Sequence, residues 1–164
     1  MNHKTIEITL NNILGKDFRF TSNLKNNITD EVIKKLGLKT KFQLNDRYEG
    51  ISFLDKHVRR VLSCKLIEEF LNINLCSKEK SLKCITNFEY EEKNIIVVTS
   101  NKMNIVNFAN MKFDYLLLVS FRDNYKLGFL KKIISLNDLI KKGIINDKNI
   151  GNKKLLSFNL SSLQ

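Results

Sequence analysis

The chain has 164 residues, 28 basic and 17 acidic side chains, a formal charge of +11 and a pI near 9.6, a size that suits one domain with a real core. No apolar stretch approaches the length of a membrane span, and Met1–Leu14 mixes His3, Lys4, Glu7 and asparagines into its apolar pattern, unlike a secretory signal. A soluble, intracellular protein with no membrane partner is expected. Cys64, Cys76 and Cys84 follow no CxxC spacing and are accompanied only by His3 and His57, which argues against a structural zinc site and for plain thiols in a reducing compartment.

The basic surplus favours a polyanion, nucleic acid above all, as partner. It is spread along the chain: residues 1–65 carry 13 basic and 7 acidic groups, residues 66–164 carry 15 and 10. Heavy use of Lys, Asn and Ile, with no Pro and no Trp, also matches the coding bias of an AT-rich genome. Both origins of the charge stand open at this level.

In chain order, Ile6, Ile8, Leu10, Ile13 and Leu14 fit either a short strand or a first helix. Gly15–Asn27 reads as a loop anchored by Phe18 and Phe20. Thr29, followed by Asp30 and Glu31, is a helix-start signal with acids facing the positive end of the dipole. Val32, Ile33 and Leu36 give that helix an apolar side, and Gly37 stops it. Lys39–Tyr48 is too poorly patterned to complete a helix-turn-helix.

The clearest helix runs from Leu54 to Leu71. Leu54, Val58, Val61, Leu62, Leu66, Phe70 and Ile73 recur at helical spacing. At 100° per residue Glu69 falls on that apolar side while Glu68 points away, with Lys65 one turn earlier as a possible partner. His57 and Cys64 on the same helix lack an orienting acid and do not read as a nucleophile pair.

Beyond the polar stretch Cys76–Ser81, alternation over Leu82–Tyr90 predicts a strand. Glu91–Asn94 predicts a turn, and Ile95–Thr99 the returning strand of a hairpin. The segment Asn101–Lys112 fits a short crossover helix or an ordered loop. Asp114–Phe121 is the most apolar strand, and Arg122–Asp123–Asn124 turns the chain into its partner Tyr125–Ile134. Ser135 with Asp138 three residues on predicts a capped helix, Leu136–Lys142, closed by Gly143. Leu155–Leu160 fits a last edge strand. Continuous apolar runs such as Ile95–Thr99 and Tyr115–Phe121 suit strands covered on both faces. The expected fold is α/β, a mixed central β-sheet flanked by helices, in a single domain in which residues 1–53 form an N-terminal extension packed on a core at 54–160.

Phosphate-loop, dinucleotide, HExxH and GxSxG signatures are absent. A helix carrying a Glu, a hairpin, a crossover, the stretch FDYLLLVSFRDNYKLGFLKKIIS at 113–135 and a late helix together resemble the core of the PD-(D/E)XK restriction-endonuclease-like superfamily, over about residues 55–160. In active members of that superfamily an Asp on the first hairpin strand and an acid-x-Lys on the second hold and use Mg²⁺. The resemblance sets Lys83 at the Asp position and Ile96 and Val98 at the acid-x-Lys positions. Only Glu69 falls where some members keep an extra metal-contacting acid. Glu91–Glu92–Lys93 also reads as E-x-K, but at the hairpin tip.

The resemblance therefore implies a nuclease-like pseudoenzyme that binds nucleic acid, duplex DNA foremost, or a nuclease partner, with no cofactor. Lys39, Lys41, Arg47, Arg59, Arg60, Lys102 and Lys112 are the expected phosphate contacts. One alternative is an active Mg²⁺-dependent endonuclease with a rearranged site around Glu69. Another is a small basic subunit of a larger assembly, such as a ribonucleoprotein or a viral anti-defence factor. A protein partner or a homodimer fits either of the binding readings.

Overall fold

The computed structural model describes residues 3–35, 37–39, 50–75, 86–100, 102–106, 113–142 and 155–159. In chain order its elements are α1 (His3–Ile13), β1 (Phe18–Arg19), α2 (Leu24–Lys35), α3 (Gly50–Leu71), β2 (Thr86–Tyr90), β3 (Lys93–Val98), β4 (Lys102–Val106), β5 (Tyr115–Arg122), β6 (Leu127–Ser135), α4 (Leu136–Lys141) and β7 (Leu155–Asn159). The fold is mixed α/β. Five strands are hydrogen-bonded in the order β1–β6–β5–β3–β2, and β4 pairs with β7 in a separate two-stranded sheet.

The two apolar runs become neighbours. β3 and β5 pair in parallel, from Ile95 opposite Tyr115 to Val98 opposite Leu118. Every side chain at positions 95–98 and 115–119 is buried, as strands covered on both faces require. A two-residue turn at Glu91 and Glu92, with φ of 49° and 67°, joins β2 to β3. Positive φ at both central residues is the geometry that matches the twist of a tight hairpin.

Two compact units divide the chain. The first comprises Met1–Lys16, Asn87–Ser120 and Leu130–Gln164; the second comprises Asp17–Thr86 and Phe121–Phe129. In the first unit α1 settles the choice left open by the sequence: Ile6, Leu10 and Ile13 are buried and Ile8 is exposed. The i, i+4, i+7 spacing prevails over the alternation. The Tyr115 hydroxyl donates to Glu7 Oε1 at 3.1 Å, and the Gly15 N–H donates to the Leu130 carbonyl at 2.8 Å. Asp114 ties three elements together. Its N–H donates to the Asn94 carbonyl, its carbonyl accepts from Leu136 N, and its Oδ2 accepts from Asn94 N. Ser135 caps α4 as expected, accepting from Asp138 N at 3.1 Å.

The segment expected to be a crossover helix or loop holds β4 instead, and β7 pairs with it from Lys102 opposite Asn159 to Val106 opposite Leu155. Met103 and Ile105 alternate with Lys102 and Asn104, a period-2 signal shorter than a reliable strand pattern.

In the second unit α2 begins at Leu24, not Thr29. Thr29 is an interior residue whose hydroxyl donates to the Lys25 carbonyl at 2.9 Å, the back-bond that lets a threonine sit inside a helix. Gly37, at φ +69°, ends the helix. Its N–H bonds the Lys34 carbonyl and the Leu38 N–H bonds the Ile33 carbonyl, the paired closure of a left-handed helix cap. α2 packs on α3.

α3 buries Leu54, Val58, Leu62 and Leu66, and also His57, Arg60, Ser63, Cys64 and Ile67. Gly128 on β6 leaves no room for a Cβ, which would meet Leu66 Cδ1 and Phe20 Cε2 at 2.9 Å. The helix and the strand approach closely there because the residue has no side chain.

Candidate functional site

The turn between β5 and β6 holds three consecutive residues in the left-handed region. Asp123, Asn124 and Tyr125 have φ of 53°, 54° and 68°, a left-handed run costing about 1 kcal/mol for each such residue. It persists because side chains from elsewhere hold it. The Tyr125 hydroxyl donates a short hydrogen bond to Asp55 Oδ1. The other oxygen of Asp55 pairs with Arg59 Nε at 3.1 Å. Lys25 Nζ donates to Asn124 Oδ1 at 3.0 Å and lies 5.1 Å from the centre of the Tyr125 ring. The Phe20 N–H donates to the Lys126 carbonyl at 2.9 Å, binding the turn to the chain that leads into α2. Burial, reinforced by the bond to Asp55 and opposed by Arg59, pushes the Tyr125 phenol up to about 12. It stays a donor through the neutral range.

These restraints shape a cavity of about 470 Å³ between the turn and the start of α2. Arg19 from β1, Lys25 from the first turn of α2 and Lys126 from the hairpin turn supply three cations to its wall. Thr21, Ser22, Asn26, Asn124 and Tyr125 supply hydroxyls and amides, and Phe20 an apolar base. No carboxylate is among the described lining residues. The true start of α2 matters here. Asp30 and Glu31, expected to neutralise the positive end of the dipole, lie further along the helix, and its first turn holds no acid. The first-turn N–H groups and the dipole therefore add positive potential to the three side chains. Such a concavity attracts and holds an anion.

The residues singled out by sequence fall elsewhere. Arg60 is 4% exposed, and its Nη2 donates to His57 Nδ1 at 3.0 Å. A guanidinium only donates, so His57 Nδ1 accepts and its proton is on Nε2. Arg60 is thus a correction to the expected set: a buried helix residue rather than a surface phosphate contact. Arg59 is half-buried and braces Asp55, which holds Tyr125. Lys39 is exposed just past α2. Lys102 lies on β4, while Lys41, Arg47 and Lys112 lie outside the described residues.

Glu69 is exposed. It sits in the last turn of α3, just before Asn72 leaves the helix at φ +53°, while Leu71 in the same turn is buried. Ile96 and Val98 are buried on β3 and offer no donor, and Lys83 lies outside the described residues. These side chains do not fit Mg²⁺, which takes oxygen ligands. Among the described residues no group of three or more His, Cys, Asp or Glu could hold a metal ion. Cys64 is a buried thiol; Cys76 and Cys84 lie outside the described residues. Among the described residues no helix is long and apolar enough to cross a membrane.

Sequence reading missed the groove itself. Its signals were present but separate: the run Phe18–Arg19–Phe20–Thr21–Ser22 ahead of a helix, and Asn124–Tyr125–Lys126 in a turn. Nothing in the sequence joins two stretches so far apart. No family model matches this chain, and no curated protein and no solved structure matches it.

Proposed function

We propose that the protein binds nucleic acid without cleaving it, holding phosphates of duplex DNA in the groove formed by Arg19, Lys25 and Lys126. The observation that carries this reading is a concave site with three cations and no carboxylate among its described lining residues. The net charge of +11 supports it through the long-range attraction that a polyanion feels. Lys39, exposed past the far end of α2, Lys41, Arg47, Lys102 and Lys112 are retained as further phosphate-binding residues. Arg60 is dropped, and Arg59 acts through Asp55 on the shape of the turn.

The nuclease-like resemblance is kept as part of the proposal. The order α3, β2–β3, β5–β6, α4 supports it, and the buried, uncharged Ile96 and Val98 support a non-catalytic form. Binding of this kind positions a duplex and reads no bases. The expected result is affinity for duplex DNA of any sequence that falls with salt, with a log–log slope of about −0.9 for each phosphate neutralised. Plasmid cleavage with Mg²⁺ or Mn²⁺ that disappears in Glu69→Gln would overturn the non-catalytic reading. Binding that ignores salt would overturn the phosphate reading.

A further inference from the structure

The charge and size of the groove narrow the kind of phosphate it takes, given the reading that it holds nucleic acid. We infer that its preferred occupant is a terminal phosphate monoester at the end of a nucleic-acid strand. An internal phosphodiester carries one charge and needs an open path for the chain on both sides. A strand end needs one entrance, and a monoester brings about 1.5 to 2 negative charges and three strong acceptor oxygens at neutral pH.

The concentration of positive charge in the groove suits the more highly charged monoester. The groove is a cavity of about 470 Å³, within the range of sites that take small ligands. Three cations converge on it from separate elements. Lys25 is already fixed by Asn124 and the Tyr125 ring, so binding orders little that is not already ordered. Arg19 offers the planar fork suited to two phosphate oxygens at once. Ser22, Thr21 and Asn26 are left to meet the hydroxyls and base edge of the terminal nucleotide. The added positive potential of the α2 start favours the more highly charged anion.

The test uses the full chain and one single-stranded oligonucleotide, labelled internally and made with a phosphate at the 5′ end, at the 3′ end or at neither. One phosphorylated form is expected to bind about tenfold tighter than the form with free hydroxyls, the value of one charge-assisted hydrogen bond. That preference should vanish in Arg19→Ala and in Lys25→Ala, each checked for native circular dichroism. Equal affinity for all three oligonucleotides overturns the inference. So does inorganic phosphate competing as well, mole for mole, as the phosphorylated strand, because the nucleotide would then contribute nothing. The two readings fail separately. Salt-dependent duplex binding without end preference removes the terminal phosphate and leaves the backbone reading. End preference without duplex binding does the reverse.

Discussion

The β3–β5 pair and the groove beside the β5–β6 turn are built on opposite terms. Positions 95–98 and 115–119 are apolar, buried and paired along a regular parallel register; their neighbours in sequence are also their neighbours in chemistry. The groove is polar, cationic and assembled from two short segments, with Lys25 and Asn124 lying 99 positions apart. The first region makes a fold and carries no ionisable group beyond a phenol. The second costs conformational energy in a left-handed turn and presents charge. Stability and binding are thus expected to separate cleanly when each region is altered.

The largest effect is expected in the sheet. Leu117 is fully buried on β5, and Leu117→Ala should cost about 3 kcal/mol in a urea titration. The salt slope of DNA binding by the molecules that stay folded should not change. Next comes Arg60, which separates the two accounts of that residue. As a buried donor to His57, its replacement in Arg60→Ala leaves an acceptor without its partner and should cost about 2 kcal/mol. DNA affinity should be unaltered; a loss of affinity without a loss of stability would return Arg60 to the surface phosphate-binding set.

A smaller effect is expected at the turn. Tyr125→Phe removes the bond to Asp55 and should lower stability by about 1 kcal/mol, while widening the groove enough to weaken binding. The same bond predicts a pH dependence. The Tyr125 and Tyr115 phenols are both pushed up to about 12, chiefly by burial and then by their bonds to Asp55 and Glu7. The folded state therefore holds these protons more tightly than the unfolded chain, whose phenols ionise near 10. Their stabilisation is whole below pH about 10 and is lost as pH rises through about 12. Alkaline unfolding should coincide with late phenol ionisation in a near-ultraviolet titration, and Tyr125→Phe should remove one late-ionising group.

What could be read in advance follows the same division. The strands at 95–98 and 115–121 and the Ser135 cap are local signals, and local packing decides them. The start of α2 was misread because Thr29, Asp30 and Glu31 imitate a helix beginning. In the fold the Thr29 hydroxyl is satisfied by the Lys25 carbonyl, and the helix extends back to Leu24. The helical angle sets Glu69 on the apolar side, but in the last turn of α3 Leu71 is the buried residue and Glu69 is exposed. Arg60 looked like a surface cation because a basic pair after His57 gives no hint that the helix is buried on so many sides. The groove was out of reach for a different reason: Asp123 and Asn124 mark a turn locally, but nothing local shows that Lys25 and Asp55, far away in sequence, meet it.

The most direct measurement compares duplex DNA binding across a salt series for the native chain and for Arg19→Ala/Lys25→Ala/Lys126→Ala. With a stable fold retained, the triple variant should bind more weakly at low salt. Its log–log salt slope should be shallower by about 2 to 3, near one unit for each phosphate that is no longer neutralised. An unchanged slope and affinity in a folded triple variant would contradict the assignment of phosphate binding to this groove.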